Sequence, residues 1–161
     1  MLKIRAATRN DAQTLTTLIR ELAEYERLQH EAIISEEDIL RDGFGPQPRF
    51  RALIAEWDGA VAGYAIFFEF YSTFQGRPGL FLEDIFVRAE YRSKGVGTQL
   101  LSEVANIAWE ERYFCLRWEV LDWNEPAIQF YKNIDAVFLH QWKNVCLIGD
   151  ALRAMSKKAQ K

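Results

Sequence analysis

The chain has 161 residues, 49% of them apolar and 27% charged, the make-up of a single soluble globular domain spanning 1–161 with a core large enough to need no staples. Its formal net charge of −3 excludes the domain-wide basic footprint of a nucleic-acid binder and favours a cationic substrate over an anionic one. No apolar run approaches the length of a membrane span and Met1–Arg5 carries no secretory segment, so a cytoplasmic address without a membrane partner is expected.

Residues 2–7 alternate apolar and basic and predict a first strand. Thr8 or Asn10 can cap a helix whose apolar positions Ala12, Leu15, Leu18, Ile19, Leu22 and Ala23 recur at helical spacing, to about Leu28. Ser35-Glu36-Glu37-Asp38 opens a shorter helix with capping-box character, ended near Gly43–Pro46. Runs from Phe50 to Trp57 and from Ala60 to Tyr71 read as strands joined by the hairpin signal Asp58-Gly59. After a loop over 72–79 come a strand from about Leu80 to Val87 and a helix burying Leu100, Leu101, Val104, Ala105 and Ala108. Tyr113–Leu121 predicts a strand and Glu125–Asn133 a helix that tolerates Pro126 in its first turn. Strands over 136–142 and 145–148 complete the prediction, and the tail from Arg153 is expected to fray. The order β-α-α-β-β-β-α-β-α-β-β is an α/β (α+β) mixed sheet with helices on its faces.

Several chemistries lack their residues. Cys115 and Cys146 are far apart, and Cys115 in its apolar run reads as a reduced core thiol. His30 and His140 are isolated, so no metal is expected, and no Gly-x-Ser-x-Gly elbow occurs. The informative segment is Leu82–Gly97, a strand feeding the basic turn Arg92-Ser93-Lys94-Gly95-Val96-Gly97 and then a helix. Glycines let backbone amides approach phosphate oxygens, the helix N-terminus adds partial positive charge, and Arg92 and Lys94 add formal charge. A dinucleotide fingerprint fails because Leu100 stands where its third Gly or Ala belongs, and the P-loop pattern is absent.

What remains, Arg-x-x-Gly-x-Gly between strand and helix, resembles the acetyl-CoA pyrophosphate loop of the GNAT acetyltransferase superfamily. Further segments recur in order: Arg20–Glu26, Asp42-Gly43-Phe44-Gly45, Leu82–Val87 and Trp123–Lys132. Together, from Ile4 to about Ile148, they are similar to the spermidine/spermine (diamine) acetyltransferase family. The loop over 72–79 looks more like the branch that acetylates thialysine and related diamino acids. The resemblance implies a GNAT fold, with a mostly antiparallel mixed sheet of six to seven strands and about four helices.

It also implies acetyl-CoA as co-substrate and a small primary amine as acceptor, with direct attack in a ternary complex. Tyr131 matches the tyrosine that protonates the leaving thiolate, and its phenol carries its proton at neutral pH. Glu83 is the candidate for taking the ammonium proton, and with Asp84 for attracting the cation; two adjacent carboxylates in an apolar strand are expensive unless paired or functional. Strand alternation sets Glu83, Ile85 and Val87 on one face and Leu82, Asp84 and Phe86 on the other. By resemblance, the edge at Ile85, Phe86 and Val87 binds the pantetheine arm and the acetyl carbonyl, and a bulge there would free N–H groups. Arg92, Ser93, Lys94, Gly95, Val96, Gly97 and Thr98 would hold the pyrophosphate, with Asn124 and Pro126 beside the arm. Tyr25 and Glu26 match positions lining the amine site, and Arg77 can pair with the α-carboxylate of a diamino acid. Asp135 replaces the family's usual glycine but tolerates the left-handed conformation. The family's two-fold homodimer is expected too. Two alternatives stand beside this reading: acetylation of a peptide or protein amine, and a non-catalytic acyl-CoA sensor.

Overall fold

The computed structural model describes residues 1–160 and divides into two compact units, Met1–Glu119 and Val120–Lys161. In the first unit, β1 (Leu2–Ala6), β2 (Arg51–Trp57), β3 (Ala60–Ser72), β4 (Arg77–Val87) and β5 (Leu116–Trp118) form one sheet in sequence order. The first four strands run antiparallel and β5 pairs parallel to β4. Helices α1 (Ala12–Glu26) and α2 (Glu36–Phe44) lie between β1 and β2, and α3 (Val96–Glu110) links β4 to β5.

Local signals fix most boundaries. Asp58 and Gly59 both take positive φ (50° and 84°), the requirement of a tight two-residue hairpin. The Ser35 hydroxyl accepts from the Asp38 N–H at 3.2 Å, while the Asp38 carboxylate takes the Ser35 N–H at 3.0 Å, closing the capping box of α2. Thr8 caps a short 3₁₀ turn, Arg9–Asp11, and not α1 itself. The cause is Asp11, whose carboxylate accepts from the Thr8 N–H (2.7 Å) and from both Arg5 Nη atoms (2.7 and 2.8 Å), tying β1 to the turn.

The face of the sheet under α1 and α2 buries Leu15, Leu18, Ile39, Ile54, Tyr64, Ile66 and Phe86 in one cluster, each aliphatic side chain worth about 2 kcal/mol of transfer free energy. Val96, Leu100, Leu101, Val104 and Ala108 are the buried stripe of α3. That helix packs on β3 and β4, and Gly97 sits beside Val87.

In the second unit, α4 (Glu125–Asn133) forms where expected and α5 (Gly149–Ser156) occupies part of the segment expected to fray. Asp135 takes φ 60°, the left-handed conformation foreseen for it. The strands expected over 136–142 and 145–148 are not formed, and Val137, Trp142, Val145 and Ile148 are exposed. Alternation gives a segment a sided surface, but a strand exists only where another supplies its ladder. The fold is therefore a five-stranded mixed sheet with five α-helices among the described residues, against six to seven strands and four helices expected. The run over 113–121 likewise shrinks to Leu116–Trp118, the three residues that pair with β4.

Candidate active site

The glycine turn has the geometry of an anion cradle. Ser93 (φ 59°) and Gly95 (φ 80°) are both left-handed, so successive amides turn to one side. Gly95 is the N-cap of α3 and brings no side chain to it. The first helical hydrogen bond runs from the Gln99 N–H to the Gly95 carbonyl, so the N–H groups of Val96, Gly97 and Thr98 have no intrahelical acceptor. Arg92 donates from Nε to the Val87 carbonyl at 2.9 Å and lays its guanidinium over the Tyr25 ring at 4.5 Å and the Phe86 ring at 5.8 Å. Lys94 Nζ lies 5.5 Å from both the Trp57 and the Tyr91 ring. Both cations stay exposed on the turn, and the arrangement fits a diphosphate.

The strand leading into this turn is open on one side. β4 and β5 pair only from Leu80 to Leu82, and β5 ends at Trp118. Arg88 donates its N–H back to the Ala62 carbonyl on β3 at 2.9 Å. By the alternation of an antiparallel ladder, Phe86 also points its peptide groups at β3, whereas those of Ile85 and Val87 point to the open side. The Val87 carbonyl, taken by Arg92, confirms that direction.

A bulge sits next to the opening. Ile66 pairs with Asp84 and Phe67 with Leu82, so Glu83 is an extra residue without a partner on β3. The bulge corrects the simple alternation: Asp84 and Phe86 share the α1 face with Tyr64 and Ile66, but Leu82 joins Ile85 on the face of Phe67 and Ala65. Phe67 and Leu82 are each 1% exposed there, a burial the extra residue makes possible.

Acidic groups converge on both sides of the bulge. Asp84 accepts from the Tyr64 hydroxyl at 3.0 Å. Burial pushes its carboxyl up to about 6, with Glu83 and Glu26 adding to the rise and the Tyr64 hydrogen bond opposing it. Glu26, at the end of α1, is raised by burial. Glu83 is raised by loss of solvent around its carboxyl and then by the charge of Glu119, just past β5. Glu21 is engaged elsewhere, in a two-point ion pair with Arg88 at 2.7 and 2.8 Å. An open depression of about 480 Å³, lined by Glu21, Tyr25, Phe86, Arg88 and Arg92 among others, lies between α1 and the turn.

The second unit carries the remaining candidates. Asn124 is the N-cap of α4, its Oδ1 accepting from the Ala127 N–H at 3.4 Å, and Pro126 sits in the first turn where no N–H is required. Tyr131 is the buried residue of that helix, 6% exposed, with the Phe130 ring 5.5 Å away.

Within the first unit, then, Tyr25, Glu26, Asp84 and Arg92 come together, with Glu83 beside them. Arg77 does not join them: it opens β4, six residues and about 20 Å of strand before Glu83. Two participants escaped the sequence. Tyr64 reads as one more aromatic of a buried strand, and its tie to Asp84 depends on the bulge. Glu119 lies one residue past β5, inside the run expected as a strand, and a parallel β4–β5 register would have pointed to it. Cys115 is half-buried, with its thiol pushed up by burial.

Comparison with known proteins shows the family. The profile of the acetyltransferase (GNAT) family matches residues 13–135. The thialysine N-epsilon-acetyltransferase of Bos taurus is 39% identical over 166 residues, covering 96% of this chain and 97% of that one. The L-ornithine N5-acetyltransferase of Arabidopsis thaliana is 42% identical over 100 residues, 62% of this chain and 44% of that one. Among solved structures, an integron cassette protein from the mobile metagenome of V. cholerae superposes with a TM-score of 0.81 at 24% identity, covering 97% of this chain and 98% of that one, a likeness of fold alone.

Proposed function

This chain belongs to the acetyltransferase (GNAT) family, and we propose that it transfers the acetyl group of acetyl-CoA to a primary amine of a small cationic substrate, a diamino acid of the lysine or thialysine type before a polyamine. One observation carries the reading. β4 leaves its ladder with β5 after Leu82, and its open edge runs past Glu83 and Asp84 straight into an uncapped, left-handed glycine turn. A phosphate cradle, a strand edge for an amide-bearing arm and an acidic patch thus follow one another along 15 residues, 83–97. The full-length mammalian relatives, named for thialysine, support the choice of amine.

Bound acetyl-CoA supplies a thioester carbonyl activated toward attack. Arg92, Lys94 and the N–H groups from Ser93 to Thr98 hold the diphosphate. The Ile85 and Val87 peptide groups hold the arm and donate to the carbonyl oxygen as charge develops on it. Asn124 and Pro126 bind the arm at the start of α4. Tyr25, Glu26 and Asp84 receive the cation, and Glu83 takes one proton from the ammonium, leaving a nitrogen that can attack. Tyr131 passes its phenolic proton to the departing sulfur, and the proton the nitrogen sheds on becoming an amide restores the phenol. Each turnover leaves one net proton, which Glu83 returns to solvent. The protein works as a homodimer, a reading supported by the exposed Trp142, Val145 and Ile148, and its proposed setting is the cytoplasm.

The test is thiol release from acetyl-CoA with thialysine, lysine, ornithine, diaminopropane, spermidine and a short peptide. We expect kcat/KM to be highest for the diamino acids. Binding of acetyl-CoA without turnover on any amine would replace this reading with a sensor, and turnover on the peptide alone with a peptide acetyltransferase.

A further inference from the structure

Tyr64 sits in β3 with none of its surface exposed, walled by Leu15, Leu18, Ile39, Ile54 and Phe86. All five are apolar, and a phenylalanine would fill the same space. A hydroxyl buried among them is costly unless it is paired. It is paired across the strand boundary, donating to Asp84 Oδ2 at 3.0 Å, and among the described residues no other group donates to Asp84. The contact is diagonal, since Tyr64 stands opposite Phe86 and Asp84 opposite Ile66. It exists because the extra residue Glu83 turns Asp84 to the α1 face; in an unbulged strand in the register of Phe67 and Leu82, Asp84 would point away from Tyr64.

We propose that Tyr64 is a positioning residue for amine recognition: its hydroxyl holds the Asp84 carboxylate, as the anion, on the α1 side of β4, where Asp84 and Glu26 receive an ammonium group of the substrate. The inference rests on the amine-acetyltransferase reading above. The charges around the pair agree with it. Glu83 on the same strand and Glu26 on α1 both disfavour the anion, as does burial, and the Tyr64 hydrogen bond opposes them. Of the other charges nearby, Glu21 is bound to Arg88, and Arg92 lies over Tyr25 and Phe86. Without the Tyr64 hydroxyl, Asp84 takes up a proton at higher pH and its carboxyl is free to rotate.

Tyr64→Phe tests this. At pH 7 the KM for the diamino substrate should rise about tenfold, with the KM for acetyl-CoA and the saturated kcat within twofold of the parent. The acid limb of kcat/KM for the amine should move upward in pH. In an Asp84→Asn background the same Tyr64→Phe change should cost less than twofold, because its effect travels through the carboxylate. Superimposable pH profiles for parent and Tyr64→Phe overturn the proposal. So does an equal loss in both backgrounds, which would mark Tyr64 as a packing residue. If the parent acetylates none of the amines, the functional reading has failed, and carbon-13 titration of the Asp84 carboxyl decides this inference separately. A midpoint moved upward by Tyr64→Phe supports the pairing, and an unmoved midpoint overturns it.

Discussion

Leu82 and Asp84, two residues apart on one strand, lie on opposite faces of the sheet, because Glu83 between them is the extra residue of a β-bulge. One inserted residue thus settles three matters. Leu82 enters the core against Phe67, Asp84 turns to Tyr64 and α1, and Glu83 is left outside the ladder, where Glu119 influences it.

Glu83→Gln should lower kcat by about 100-fold, the usual scale for losing a positioned proton acceptor, and remove one ionisation from the rising limb of the pH–rate profile. Glu119→Gln should leave that ionisation in place but shift it to lower pH, since the Glu119 charge helps to raise Glu83. A limb unmoved in both variants would leave Glu83 only the attraction of the cation.

Tyr131→Phe should reduce kcat by at least tenfold while the affinity for acetyl-CoA, followed by calorimetry, changes less than threefold. In the proposed mechanism the phenol donates its proton only as the sulfur departs, so its loss would fall on the chemical step. Unchanged turnover would leave the buried ring of Tyr131 as packing alone.

Two glycines should respond differently to alanine. At Gly95 (φ 80°) an added Cβ meets nothing within 4 Å, so Gly95→Ala should cost about 1 kcal/mol of stability from the left-handed conformation, and weaken acetyl-CoA binding at the turn. At Gly63 the Cβ would lie 2.3 Å from the Phe86 carbonyl oxygen, a backbone atom held in the sheet, so Gly63→Ala should cost about 3 kcal/mol or more. Urea denaturation of both variants checks the order.

Asp84→Asn should stabilise the fold while weakening amine binding. The folded-state carboxyl titrates near 6, above its ordinary 3.8, so the native protein favours the protonated form. The penalty is fully present above pH 6 and vanishes as pH falls below about 4. At pH 7.5 the variant should gain about 2 kcal/mol, and the two proteins should converge by pH 4. A constant difference across that range would refute the buried-anion account.

Asp11 has the opposite sign. Arg5 foremost, with Thr8, holds its carboxyl down at about 2, below the ordinary 3.8. That stability is complete above about pH 4 and is lost as pH falls toward 2. Asp11→Asn should therefore be about 2 kcal/mol less stable than the parent at pH 6, with the gap closing by pH 2 in denaturant titrations.

Local chemistry was legible wherever a few neighbouring residues decide the backbone. Asp58-Gly59 specified the hairpin, Ser35 with Asp38 the start of α2, and Pro126 the first turn of α4. The segment 136–148 misled because its alternating apolar residues describe a surface, whereas a strand needs a neighbour to supply hydrogen bonds. Thr8 misled by one turn because Asp11 competes for it, and that competition depends on Arg5 from β1.

By itself the sequence determined a glycine turn that can seat a diphosphate, two carboxylates just before it, and a helix with Pro126 in its first turn that carries Tyr131. These follow from the φ preferences of glycine, from capping and from composition, which act over a few residues. Only the tertiary structure decided which way Asp84 faces, that Tyr64 donates to it, that Glu119 stands near Glu83, and that β4 opens after Leu82. Each of these depends on register between strands, and register is set by packing the whole sheet between its helices.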